Sequence, residues 1–150
     1  MKKTTFQFFS LIMIIFISCK PSEKIMVDGK ELKDWMKIKY DPDYVQPVSN
    51  AAFTIEDWSI ENDIAKLIIN YSGGCATHLF NAYFTGLYTN DSPAKAGIFI
   101  EHENGADKCR MLVIDTIYIN LKPVRLDKDK PGTVIIGFNN SGKTVEYIYK

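Results

Sequence analysis

From residue 52 onward, apolar and polar positions alternate with a period of two. The pattern runs through "AFTIEDWSI", "IAKLIINY", "HLFNAYFTGLY", "AGIFIEH", "CRMLVIDTIYINL", "TVIIGF" and "TVEYIYK". Side chains two apart point to the same face of a strand, so each run predicts a half-buried β-strand. Ala65, Leu67, Ile69 and Tyr71 fall on one face of the second run; His78, Phe80, Ala82 and Phe84 fall on one face of the third. Between the runs lie stretches rich in Gly, Asn, Asp and Pro, such as "TNDSPAK", "ENGAD" and "NNSGK". About seven short strands with this punctuation predict an all-β domain, an antiparallel β-sandwich of immunoglobulin-like architecture, over residues 51–150.

One hairpin is specific enough to register. Asn104-Gly105 in "IEHENGADKCRM" suits a two-residue turn with positive φ at both positions. With those two residues as the loop, His102 opposes Asp107, Ile100 opposes Cys109 and Ile98 opposes Met111. Opposed residues of an antiparallel pair share a face. Both histidines of the chain, His78 and His102, then share faces with apolar neighbours and point inward, close to the two cysteine-bearing segments.

The N-terminal third follows other rules. Lys2 and Lys3 precede an almost unbroken apolar stretch, Phe6–Ile17, and a polar, proline-containing segment follows. The stretch is short of the roughly 20 apolar residues that a membrane span needs, and its charge layout is that of a secretory signal. "FISC", ending at Cys19, resembles the lipobox of bacterial lipoproteins. That resemblance implies cleavage after residue 18 and acylation of Cys19 with three chains (diacylglycerol and palmitate). More than one chain gives stable anchoring. Residues 19–50 are then the lipidated cysteine, a tether and, at "KELKDWMKI", a short helix or an extended strap.

Composition sharpens the destination. Loss of residues 1–18 removes two lysines and no acid, leaving 16 basic and 18 acidic side chains. No clustered basic surface is apparent, which argues against nucleic acid. "GFNNSGKT" (Gly137–Thr144) matches the phosphate-loop pattern, but a strand-like "VEYIYK" follows where that motif requires a helix, so no nucleotide partner is expected. No nucleophile-elbow motif and no paired-histidine zinc motif is present, and no catalytic residue is assigned.

With Cys19 taken by lipid, Cys75 and Cys109 remain. In an oxidising envelope two cysteines pair as a disulfide, and Gly73-Gly74 would let the chain turn sharply beside the strand end. The alternative is a metal: Cys75, His78, His102 and Cys109, or His78, His102 and Asp107, supply donors suited to zinc or copper. Both readings stand at this point.

"YSGGCATHLF", "EHENGADKCR" and "TIYINLKPV" together resemble a group of uncharacterised Bacteroidota-type envelope lipoproteins. These carry a Gly-Gly-Cys-x2-His segment and a later Asp-x-Cys segment. The resemblance implies an outer-membrane lipoprotein with a β-sandwich domain, on either the periplasmic or the exposed face, and little about activity; a non-enzymatic domain is expected because no nucleophile–base pair is visible. Its expected partners are the membrane, through the lipid, and an envelope protein or glycan. Trp35, Trp58, Tyr83 and Tyr88 are the aromatic residues from which a binding patch would be built.

Overall fold

The computed structural model describes residues 25–32, 34–48, 51–139 and 141–150. The expected leader and Cys19 lie outside the described residues. Ten strands form, and the only regular helical element among the described residues is a 3-10 turn at Lys122–Val124. A two-stranded hairpin, β1 (Ile25–Val27) with β2 (Lys30–Leu32), leads into β3 (Met36–Tyr40). Then come β4 (Phe53–Glu61), β5 (Ile64–Gly73), β6 (Leu79–Tyr88), β7 (Ala94–Glu103), β8 (Met111–Asn120), β9 (Gly132–Phe138) and β10 (Thr144–Tyr149). The last eight make one sheet in the order β10-β9-β7-β6-β3-β8-β5-β4.

That sheet curls until its two ends approach. Trp58 of β4 packs edge-on against Phe138 of β9, with ring centroids 4.9 Å apart. Ala65, Leu67 and Ile69 of β5 meet Ile98 and Ile100 of β7, Ile119 of β8 and Val134 and Ile136 of β9 in one fully buried core. The period-two reading of β5 therefore holds residue for residue. The N-terminal hairpin docks on the outside: the Asp28 amide donates to Glu61 (2.8 Å), and the Asp28 carboxylate pairs with Lys66.

The all-β expectation stands, but the antiparallel, seven-stranded, immunoglobulin-like plan does not describe this sheet. Three of its pairings are parallel: β3 with β6, β3 with β8, and β7 with β9. The expected hairpin between β7 and β8 is also corrected, because both edges of β7 are taken by β6 and β9. β8 pairs instead with β5 over ten residues on the opposite half of the sheet. The turn does form, one residue later than expected. Gly105 and Ala106 both have φ of 58°, and the Asp107 amide donates to the Asn104 carbonyl (2.9 Å). It carries the chain to the other half of the sheet rather than back along its neighbour.

Among its described residues "KELKDWMKI" makes no helix. Met36–Tyr40, placed by the sequence in the strap ahead of the domain, is a central strand that inserts between β6 and β8 and buries Ile38. Inserted there, both its edges gain backbone partners, which a helix could not supply to β6 and β8. The domain thus starts before residue 51.

Candidate functional site

The two cysteines are joined: Cys75 and Cys109 form a disulfide, with Cα atoms 5.8 Å apart. The loops on either side of this bridge connect the two halves of the sheet at one end. Asp107 organises them. Its Oδ2 accepts the amides of Cys75 (2.8 Å) and Ala76 (2.9 Å), and its Oδ1 accepts that of Cys109 (2.8 Å). Oδ2 also meets His78 Nε2 at 3.1 Å. These donors, the Cys109, Cys75 and Ala76 amides ahead of His78, hold the Asp107 carboxyl well below the usual carboxylate range.

From Asp107 a relay runs inward. His78 Nδ1 lies 2.7 Å from His102 Nε2, and His102 Nδ1 lies 3.2 Å from the Ala51 carbonyl. The side chains of His78 and Asp107 are 3% and 0% exposed, and His102 is 1% exposed. Aromatic rings close the space around them. Phe80 stacks on His102 at 4.4 Å, Phe53 meets it edge-on, and Tyr71 lies against both histidines. Gly73 makes room for the relay, since a Cβ there would overlap the His78 ring.

A proton count follows from chemistry alone. The Ala51 carbonyl and the Asp107 carboxylate only accept, so each needs an N–H, and the contact between the rings needs a third. Two neutral imidazoles carry two hydrogens. Making all three contacts at once takes one hydrogen more than two neutral rings carry. Burial pushes the His102 imidazolium form down, opposed by the Ala51 and Ala52 backbone and reinforced by His78.

All five residues singled out by the sequence come together, but as a closed assembly. Two imidazole nitrogens sharing a tetrahedral zinc at about 2.0–2.1 Å stand roughly 3.3 Å apart. At 2.7 Å, His78 and His102 are hydrogen-bonded to each other rather than set to ligate. The four aromatic residues do not form a patch. Trp58 and Tyr88 pack against the core, Trp35 lines a cleft beside β3, and Tyr83 stacks on Tyr44 at 4.3 Å on the outer face. The Gly137–Thr144 stretch runs from β9 into β10, with no helix after it.

Sequence reasoning missed a second cluster, at the seam between the sheet ends. Asp63, in the β4–β5 turn, accepts from Tyr147 Oη of β10 and from Arg125 (2.6 Å), and Arg125 Nε donates to Tyr147 Oη (3.2 Å). Burial alone would raise the Asp63 carboxyl. The Tyr147 and Arg125 hydrogen bonds, with the charges of Arg125 and Lys122, outweigh it and hold the group below its ordinary value. The inward parity of Tyr147 was the available signal, since a buried phenol needs a partner.

These shifts give the acid response a definite sign. A base whose charged form is disfavoured in the fold loses stability as the unfolded chain takes up the proton that the fold refuses. A carboxylate with a lowered folded value loses its contribution as pH falls from its unfolded value toward its folded one. Thermal unfolding is expected to show a first decline below about pH 6.5, from His102, and a second below about pH 4, from Asp63 and Asp107. A single decline confined to the lower range would mean that burial does not hold His102 away from its charged form.

The chain matches no protein-family model and no curated protein. Solved structures do resemble it. A NigD-like immunity protein from Bacteroides caccae aligns with TM-score 0.53 at 13% identity, over 83% of this chain and 68% of that one. A putative toxin-related protein from Parabacteroides distasonis aligns with TM-score 0.46 at 12% identity, over 76% of this chain and 59% of that one. A protein of unknown function from Bacteroides vulgatus aligns with TM-score 0.48 at 15% identity, over 81% and 58%. The chain spans about three fifths of the length of the latter two. At these identities the likeness to the immunity protein is one of fold.

Proposed function

We propose that the chain is a lipid-anchored lipoprotein of the cell envelope whose β-domain, sandwich-like in its two facing halves, is a non-enzymatic binding or structural module. The observation that carries this reading is the closure of the cluster that holds both histidines. His78, His102 and Asp107 satisfy each other, are shut from solvent, and sit under a disulfide. A reacting centre needs a group free to meet substrate; this assembly staples two loops. The lipobox ending at Cys19 supports the anchor, and the disulfide suits an oxidising compartment. By this reading the domain works through its surface, toward an envelope protein or a glycan.

A metal-binding reading comes second. Cys75 Sγ, Cys109 Sγ and an Asp107 oxygen lie within 4.8 Å of one another. Reduction would therefore free two thiolates beside a carboxylate and His78, a donor set that suits zinc. Intact mass of the chain recovered from membranes, under denaturing and native conditions, separates the two. The expected result is an acylated N-terminal Cys19, a polypeptide two hydrogens light, no alkylation and no retained ion. An unmodified Cys19 would remove the anchor from the reading. Two alkylated thiols with a retained metal ion would replace it with the second.

A further inference from the structure

β3 is too short for the gap that it enters. It pairs with β8 only at Ile119 and Asn120, while β8 pairs along its other edge with β5 from Met111 to Asn120. Among the described residues, Met111–Tyr118 therefore has one edge with no strand beside it. Proteins protect such edges with lysine, proline or a bulge, because unpaired backbone groups recruit another strand. "MLVIDTIY" has no lysine and no proline, and its register with β5 is unbroken. Three apolar side chains stand in solvent along it: Met111 (61% exposed), Leu112 (70%) and Ile114 (69%).

The two ends of this edge differ in a complementary way. At the Tyr118 end lies an open cleft of about 490 Å³, whose lining includes Leu32, Asp34, Trp35, Phe80, Ile117 and Tyr118. At the other end stand exposed Arg110 and Met111. Among the described residues neither Asp34 nor Arg110 forms an ion pair. One end thus offers a cation and a long apolar side chain, and the other offers an anion and an apolar cleft.

We propose that two copies of this chain pair through the free edge of β8, antiparallel about a two-fold axis at Ile114. Directly opposed residues share a face and their numbers sum to a constant. Ile114 then faces Ile114 of the second copy, Leu112 faces Thr116, Met111 faces Ile117, and Arg110 faces Tyr118 beside Asp34. Each Met111 reaches the apolar cleft of the other copy, and each Arg110 reaches its Asp34. A register centred one residue later opposes Asp115 to itself, a like-charge pair, and is excluded on that ground. The interface is isologous, so its closure gives a dimer and no larger assembly.

The test is sedimentation velocity on residues 20–150, made in an oxidising compartment; these contain all ten strands. A reversible monomer–dimer equilibrium is expected between about 1 and 100 µM, the range of a small strand-to-strand interface. Ile114→Lys sets two charges against each other on the axis and is expected to weaken association at least tenfold. Ile114 is exposed, so the monomer keeps its fold, checked by circular dichroism. Arg110→Glu and Asp34→Lys are each expected to weaken the dimer, and the double variant to restore it. A monomer throughout this range overturns the proposal. So does a dimer that is indifferent to Ile114→Lys, or a charge swap that rescues nothing.

Discussion

Removing the Cys75–Cys109 bridge is expected to lower the unfolding free energy by roughly 3–4 kcal/mol, the chain-entropy value for its sequence separation of 34. The native state has little reason to change. Asp107 binds the amides of both cysteines, so the carboxylate holds the two loops together even when the sulfurs are apart. The loss therefore falls on the unfolded chain, which regains the freedom of a loop containing β6 and β7. In urea titrations of the Cys75→Ala/Cys109→Ala variant the midpoint should drop. The slope should steepen, because an uncrosslinked unfolded chain exposes more surface. A loss under about 1 kcal/mol would mean that Asp107 and the histidine relay restrain the unfolded chain as well.

What the sequence made legible was local. Alternation in "IAKLIINY" and "HLFNAYF" placed the inward faces of β5 and β6, and with them His78. Counting cysteines left Cys75 and Cys109 as partners for a bridge or ligands for a metal, and the structure joins them. The illegible part was which strand lies beside which. Asn104-Gly105 is a strong signal for a turn, but a turn does not say whether the next strand folds back or crosses over. That choice was settled by β6 and β9, which occupy both edges of β7. Parallel neighbours such as β7 and β9 are joined by long connections, and no short motif announces them. The central place of Asp107 was hidden for a related reason. It was read as a possible ligand, yet most of its partners are backbone amides, which every residue carries. Asp63 sits in a turn, where a carboxylate is ordinarily solvated; this turn closes the seam against β10.

Among single substitutions, His102→Ala is expected to be among the most damaging, at about 3–5 kcal/mol, the range for truncating a buried ring. His102 is 1% exposed and touches Phe53, Tyr71, Phe80 and His78. Its removal opens a cavity among rings that other strands hold in place. It also strands the Ala51 carbonyl and His78 Nδ1, each a buried polar group left without its hydrogen bond. His102→Phe separates the two contributions. Phenylalanine keeps the stacking on Phe80 but can neither donate to Ala51 nor accept from His78. If packing dominates, His102→Phe retains most of the stability and loses the decline below about pH 6.5, because no second imidazole remains to refuse a proton. If the relay dominates, His102→Phe falls nearly as far as His102→Ala. Chemical denaturation of both variants at neutral and mildly acid pH decides between these outcomes. The closed relay favours the second, since the Ala51 carbonyl and His78 Nδ1 are left beside a ring that can bond neither.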